Sequence, residues 1–238
     1  MRHLARNASL LLAASALAIA CGAGGRIAGE GPMITDTRQL LAFDEVQVDA
    51  PIDVILVRGD NQSVAVTTNA NLQPYVKTEV KGERLTIEFE GNPQMEGGAN
   101  VEIVIPELED LHVTGAGNVV GRGFGGDKLS AKVSGSGNVT LHDLRADDLK
   151  LDVSGSGDVD IDGTGEDLQI TLTSSGDVQA FDFSADDVQV DSKGSGEVRV
   201  MAKDKLKVHI KGAGSVYYRG DPEVDLKDEG PGQLVGDN

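Results

Sequence analysis

The chain is poor in aromatic residues, in cysteine and in positive charge. It has 238 residues, with no Trp, 3% aromatic residues and a single cysteine, Cys21. One cysteine excludes an intramolecular disulfide framework. The 21 Lys and Arg residues are outnumbered by 39 Asp and Glu residues, which gives a formal net charge of −18. A surface of this charge does not favour the phosphates of nucleic acid or anionic lipid headgroups, so we expect no nucleic-acid partner.

Long helical periodicity and recognisable catalytic motifs are also missing. The histidines beyond the N-terminal segment lie in no triad motif; they are His112, His142 and His209. Parallel β-helix enzymes that cleave acidic polysaccharides use clustered Asp with Lys or Arg, and Asp160, Asp162 and Arg199 could lie on one face in this way. A solvated outer face explains these charges more simply. We therefore assign no catalytic, cofactor-binding or metal-binding residue and expect a protein that is not an enzyme.

Glycine is in excess, and its arrangement is periodic. Many of the 31 glycines belong to a five-residue motif such as Gly135-Ser136-Gly137-Asn138-Val139. The motif ends at valines 119, 139, 159, 178, 198 and 216, so its copies are 18 to 20 residues apart. A fixed period of this length is the signature of a solenoid, in which each unit buries its apolar face only against its neighbours.

Apolar and polar residues alternate on both sides of each motif. In one unit, residues 149–153 precede the turn and residues 159–161 follow it. Alternation of period two predicts strands with one buried face. The inward residues of successive units should stack in columns. One predicted column is Leu151, Ile170 and Val190, and a second is Phe124, Leu144, Thr164 and Phe183.

Two arrangements of these strands fit the repeat, stacked coils or stacked hairpins. Hairpin loops favour Asn-Gly or Asp-Gly, whereas here the glycine comes first and all copies are in register. This order favours coils, about 4.8 Å apart. We predict an all-β fold, a β-solenoid similar to a parallel β-helix, with coils of about twenty residues and an irregular N-terminal strand region over residues 43–105 that covers one end. We attribute the motif glycines to sharp turns with positive φ.

The repeat also predicts a ladder of like charges. Asp158, Asp177 and Glu197 occupy the same turn position in successive coils. Their carboxylates should repel unless solvent screens them or a divalent cation bridges them. We favour screening by solvent. The calcium-binding nonapeptide β-roll does not fit, because that motif repeats at less than half the period seen here.

The N-terminus has the features of an export signal. Arg2 and Arg6 precede an apolar run over residues 10–20, which is too short to span a bilayer as a helix. The lone Cys21 that follows resembles the acylated cysteine of bacterial lipoproteins, although Ala18 stands where leucine is more usual; the alternative is ordinary cleavage after Ala20. We predict a signal peptide over residues 1–20, lipid on Cys21, a flexible tether over 21–40 and one domain over 41–235. In a Gram-negative envelope, the resemblance implies an outer-membrane lipoprotein.

Three segments carry a family resemblance. They are the entry 43–46 with 52–54, the stretch 71–72 with 76–80 and 85–87, and the ending 212–222. Together they resemble the autotransporter adhesin head GIN domain family, a domain of unknown function in bacterial envelope proteins, over residues 39 to 235. The resemblance implies a β-solenoid similar to the heads of trimeric autotransporter adhesins, and it transfers no ligand-binding or catalytic residue.

These observations predict a non-enzymatic, lipid-anchored interaction module with a role in adhesion or envelope scaffolding. The alternative is a carbohydrate-binding or carbohydrate-active β-helix protein, which a cleft lined by acids and aromatic residues would favour. The membrane is the expected partner of the lipid. The sequence leaves open which protein or glycan the domain contacts and the oligomeric state.

Overall fold

The chain forms a stack of coils built from parallel strands. A computed structural model describes residues 26–94 and 98–237. The predicted β-solenoid, with coils of about twenty residues, is confirmed. One short 3-10 helix spans Gln73–Tyr75. The strands are β1 Ile27–Ala28, β2 Met33–Arg38, β3 Glu45–Val48, β4 Asp53–Arg58, β5 Ser63–Asn69, β6 Val76–Lys81, β7 Arg84–Phe89, β8 Pro93–Gln94, β9 Asn100–Ile105, β10 Asp110–Val113, β11 Val119–Arg122, β12 Gly125–Val133, β13 Val139–Val153, β14 Val159–Leu172, β15 Val178–Ser192, β16 Val198–Ile210, β17 Val216–Arg219, β18 Glu223–Asp228 and β19 Leu234–Gly236.

Each regular coil consists of a first arm, a motif turn, a second arm and a corner. In β13, residues 139–142 form a second arm and residues 148–153 form the first arm of the next coil, with the corner between them. The alternation in the sequence turns every other side chain inward, and neighbouring coils pair in register. Leu151 pairs with Ile170, and Ile170 pairs with Val190. All three are 0% exposed, so this predicted column is confirmed.

The corner column differs from the prediction at one position. Leu144 pairs with Gly163, which in turn pairs with Phe183, whereas Thr164 is exposed. The prediction for Thr164 is therefore wrong. The reason is a bulge, because Leu141 pairs with Ile161 but Leu144 pairs with Gly163, which leaves one extra residue in the earlier corner. Asp143 lies in that bulge with φ of 55°, in the left-handed region.

The motif glycines are required by the close stacking of turns, and the prediction of positive φ is wrong for them. A Cβ on Gly137 would lie 2.0 Å from the carbonyl oxygen of Gly117, and one on Gly157 would lie 2.0 Å from that of Gly137. None of the motif glycines is among the described residues with positive φ. Successive turns therefore approach each other so closely that a side chain on the second glycine of the motif, such as Gly137, would clash with the turn before it.

The first coil of the chain lies inside the stack and not at its end. β3 pairs with β10 on one side and β7 on the other, and β4 pairs with β11 and β9 in the same way. Three antiparallel strands then close this end, with β6 on β7, β5 on β9 and β2 on β5. The N-terminal region thus covers one end as predicted, although β3 and β4 form a regular coil.

Part of the predicted tether belongs to the sheet. β2 lies within residues 21–40 and pairs along its whole length with β5. The predicted signal peptide over residues 1–20 and the lipid site Cys21 lie outside the described residues. Within the described ranges, no helix has the length and apolar character needed to cross a bilayer.

The C-terminal end of the stack is open. Within residues 26–94 and 98–237, β18 pairs only with β16, and β19 pairs only with β17. The inward-facing Val224 and Leu226 of β18 are 39% and 45% exposed, whereas their neighbours Leu206 and Val208 in β16 are 1% exposed. Among the described residues, no further strand covers this end.

Candidate functional site

A groove of about 680 Å³ runs along the first arm across successive coils. Two rows of outward side chains line it. The row nearer the corner is Lys128, Asp148, Asp167, Asp187 and Lys205, and the second row is Ser130, Lys150, Gln169, Gln189 and Lys207. The groove is also lined by the residues between the two rows, whose side chains point inward and are buried: Leu129, Leu149, Leu168 and Val188.

The alternation of the first arm places both rows on the same face. Residues two apart on a strand point to the same side, so Asp148 and Lys150 both face outward. The parallel register then repeats each position in the next coil, where Asp148 pairs with Asp167 and Lys150 with Gln169. The groove is therefore a direct product of the repeat, with its hydrogen-bonding groups spaced about 4.8 Å apart along the axis.

The acidic row of the groove is closed at one end by an ion pair. Lys205 Nζ lies 2.9 Å from Asp187 Oδ2. The hydrogen bond that Lys205 donates to Asp187, together with the negative charge of Asp187, raises the pKa of Lys205. Among the described residues, Asp148 and Asp167 form no ion pair. Their carboxylates can therefore accept hydrogen bonds from a ligand in the groove.

The predicted turn ladder is present, and backbone hydrogen bonds hold it together. Asp158 Oδ1 accepts the N–H of Asp177 at 2.9 Å, and Asp177 Oδ1 accepts the N–H of Glu197 at 2.7 Å. The same bond runs from Asn138 N–H to Asn118 Oδ1 at 3.1 Å. Each side chain thus caps the backbone of the next coil, which offsets part of the repulsion between carboxylates.

This ladder is not arranged as a metal centre in the described part of the chain. No group of three or more His, Cys, Asp or Glu side chains in residues 26–94 and 98–237 is placed to hold a metal ion. One oxygen of Asp158 and one of Asp177 already accept a backbone N–H, and the Glu197 carboxylate is bonded to Arg199. These bonds make the ladder a structural element of the turns.

A second polar cluster lies at the bulged corner. His142 Nδ1 and Asp162 Oδ2 are 2.5 Å apart, and the N–H of Asp143 donates to Asp162 Oδ1 at 2.7 Å. Arg122 Nη1 lies 2.9 Å from Asp143 Oδ2. Burial acts to raise the pKa of Asp162, but the hydrogen bonds from His142 and Asp143, helped by the charges of His142 and Arg122, outweigh it and lower that pKa.

The structure does not bring Asp160, Asp162 and Arg199 together. Asp160 pairs with Gln179 in the next coil, and Gln179 pairs with Arg199 in the coil after that. Asp160 and Arg199 are therefore two coils apart. Arg199 instead contacts Glu197 and lies 5.1 Å from the ring centre of Tyr217. These three side chains therefore do not converge on one point.

The three histidines occupy separate places. His112 lies on β10, and His142 lies at the bulged corner. His209 lies between Asp191 and Glu229, at 3.5 Å and 3.0 Å.

The acids of the groove were not singled out from the sequence. Asp148, Asp167 and Asp187 are 19 and 20 residues apart, the same spacing as the glycine motif. This spacing is the signal that finds them. Charged residues are common at every outward position of the coil, so the spacing alone does not identify a site. The spacing of these three acids identifies a groove only when the outward face of the first arm is known to be one surface.

The fold and its groove define a β-solenoid protein with one closed end, one open end and a continuous polar surface along one arm. The chain belongs to the family described as "Putative auto-transporter adhesin, head GIN domain", which it matches over residues 42–222. No protein with a curated description matches this chain.

Solved structures share the fold. A "putative adhesin" from Bacteroides fragilis is 21% identical, with a TM-score of 0.85 over 89% of this chain and 100% of its own. A "putative adhesin" from Parabacteroides distasonis is 27% identical, with a TM-score of 0.71 over 90% of this chain and 100% of its own. A "putative lipid binding protein" from the same species is 24% identical, with a TM-score of 0.74 over 90% and 100%.

Proposed function

We propose that this chain is an exported envelope protein, anchored through lipid on Cys21, that acts as a non-enzymatic interaction module in adhesion or envelope scaffolding. The groove along the first arm is its contact surface. The observation that carries the proposal is the pair of side-chain rows in that groove, which present hydrogen-bonding groups at a regular spacing across five coils. The adhesin-like family to which the chain belongs supports it.

The groove suits an extended polar ligand. Side chains on paired strands are held more rigidly than side chains on loops, so the spacing of the rows is fixed before binding. Gln169 and Gln189 offer both donors and acceptors, whereas Asp148 and Asp167 accept only. A partner with repeated donor groups along its length would complement these rows.

A carbohydrate is the second candidate for the partner, because sugar hydroxyl groups donate to carboxylates. The unpaired Asp148 and Asp167 favour it. The residues that line the groove include no aromatic side chain for a sugar ring to stack on. A glycan would therefore bind through polar contacts, and we propose binding and not cleavage.

The anchor is tested by Cys21→Ser. We expect the wild type in the detergent phase and the membrane fraction, and the variant in the aqueous phase. A variant that enters the detergent phase as fully as the wild type would reject the lipoprotein assignment. Folding of the variant is checked by its thermal midpoint, which should not change.

The contact surface is tested by Gln169→Arg, with Gln179→Arg as its matched control. Both glutamines face outward from strands in the middle of the stack, Gln169 on the first arm and Gln179 on the second. The readouts are a glycan array and pull-down from envelope extract. We expect Gln169→Arg to lose the ligands of the wild type and Gln179→Arg to keep them. Equal retention by both variants would place the contact surface elsewhere.

A further inference from the structure

The open end of the solenoid leaves an unfinished sheet edge. The sequence of β18 alternates polar and apolar residues, but all six residues are exposed, and Val224 and Leu226 face inward with no described coil beyond them. The backbone N–H and C=O groups on the outer side of β18 have no strand partner among the described residues. An edge of this kind is a template for pairing with another strand.

The opposite end shows how this molecule finishes a first arm. There β6 pairs with β7 in the antiparallel direction over six residues, from Val76 with Phe89 to Lys81 with Arg84. The closing strand thus runs against all the parallel strands of the arm. An antiparallel strand is therefore compatible with the edge geometry of these coils, and no described strand fills that place at the C-terminal end.

We propose that a second copy of this chain supplies the missing strand, with β18 of the two copies paired antiparallel about a two-fold axis at Asp225. In this register Glu223 lies opposite Lys227 of the partner subunit, and Val224 lies opposite Leu226 of the partner subunit. Both contacts occur twice because of the symmetry. The strand is thus complementary to itself in charge at Glu223 and Lys227 on its outer face, and in apolar character on its inner face.

Two features of the C-terminal end oppose this pairing. Asp225 faces its own symmetry mate, so two like charges meet at the centre of the interface. Lys227 is also bonded to Glu229 of its own chain, at 2.9 Å, and its ammonium group has three donors to share. With a net charge of −18 on each chain, salt should strengthen the dimer by screening the repulsion between copies.

The geometry of the dimer has a functional consequence. An interface at a two-fold axis is closed, so pairing stops at two copies and does not build a filament. The first described strands of the chain lie at the closed end, so the dimer carries β2 of each copy at its far ends. If each copy is anchored through Cys21, the dimer would join two membranes that each carry one copy. This step rests on the anchor of the proposed function.

The interface is tested with two charge reversals in the full chain carrying Cys21→Ser, by sedimentation equilibrium. Glu223→Lys alone and Lys227→Glu alone create like-charge contacts in their own homodimers, and each should weaken dimerisation by about tenfold or more. An equimolar mixture of the two variants restores both opposite-charge contacts. We therefore expect the mixture to dimerise, whereas each variant alone is monomeric at the same concentration.

Asp225→Asn provides an independent test, because only this register places Asp225 against itself. It should tighten the dimer and reduce its salt dependence. Thermal melts of each variant show that the fold is intact. A wild type that is monomeric at high protein and salt concentration would overturn the proposal. A dimer that neither charge reversal weakens would overturn it as well.

The bridging step is read separately, from the aggregation of vesicles that carry the lipidated chain. If the Cys21→Ser protein dimerises but the wild type does not bind vesicles, the anchor fails and the interface stands. If the wild type binds vesicles but neither dimerises nor joins them, the anchor stands and the interface fails.

Discussion

Ile170 and Thr171 show at the scale of single residues how the repeat separates inside from outside. Ile170 is 0% exposed in a column between Leu151 and Val190, whereas Thr171 faces outward from the same strand. Ile170→Asp buries a charge without a partner and should lower the free energy of unfolding by at least about 3 kcal/mol. Thr171→Asp should cost less than about 1 kcal/mol. Urea unfolding of both variants measures the difference, and equal costs would contradict the assignment of faces.

Asp162 makes the bulged corner sensitive to acid. Its carboxyl is held by His142 and by the N–H of Asp143, and its pKa is lowered. A lowered folded-state pKa gives a stabilisation that is present above the unfolded-state pKa and is lost as the pH falls through the folded-state pKa. Asp162→Asn cannot show this dependence.

The measurement is the difference in thermal midpoint between the wild type and Asp162→Asn from about pH 5 down to about pH 2. We expect the advantage of the wild type to shrink over this range. A difference that stays constant would mean that the ionised carboxylate does not stabilise the corner.

The motif turn is the element on which the stack depends most. A Cβ at Gly137 would lie 2.0 Å from the Gly117 oxygen, so Gly137→Ala must push two coils apart. We expect a loss of about 1–3 kcal/mol in the free energy of unfolding, as for other overpacked sites. Ser136→Ala, at an exposed position of the same turn, is the control and should change stability by less than about 0.5 kcal/mol. Similar losses in both variants would refute close stacking as the reason for glycine.

The turn ladder gives a second prediction for this element. Backbone N–H groups already bond to Asp158 and Asp177. We therefore expect these bonds and screening by solvent to stabilise the ladder, with no need for a bound cation. The thermal midpoint should therefore be the same with and without millimolar calcium. The double variant Asp158→Asn/Asp177→Asn is the control. A midpoint that rises with calcium in the wild type and not in the variant would make the ladder a metal site.

The repeating elements could be predicted from the sequence because each position recurs. The column through Ile170 and the ladder through Asp177 follow from one spacing applied several times. The bulge at Asp143 could not be predicted, because a step of 19 residues does not tell where in the coil the missing residue falls. The reason for glycine at Gly137 also needed the structure, since both a positive φ and a close approach select the same residue.

At the scale of the whole molecule, the prediction was limited where the period is lost. Residues 43–105 read as strands, but nothing in them shows that β7 and β9 stack on the far side of β3 and β4. That order depends on contacts between segments that are distant in sequence and have no shared motif. The groove needed the same information, because its two rows are recognisable only when the first arm is seen as one surface.

The position of β3 and β4 inside the stack implies an order of folding. These strands come early in the chain, yet both of their edges are covered by later segments, β7 and β9 on one side and β10 and β11 on the other. In a chain that is delivered to its compartment N-terminus first, β3 and β4 are exposed before either set of partners arrives. We expect the sheet to grow from β3 and β4 in two directions. On one side, residues 63–105 add the strands of the closed end, and growth stops there. On the other side, the later coils are added one after another toward the C-terminus. Duplication of a coil would therefore lengthen the protein only on the second side, and the closed end would stay unchanged.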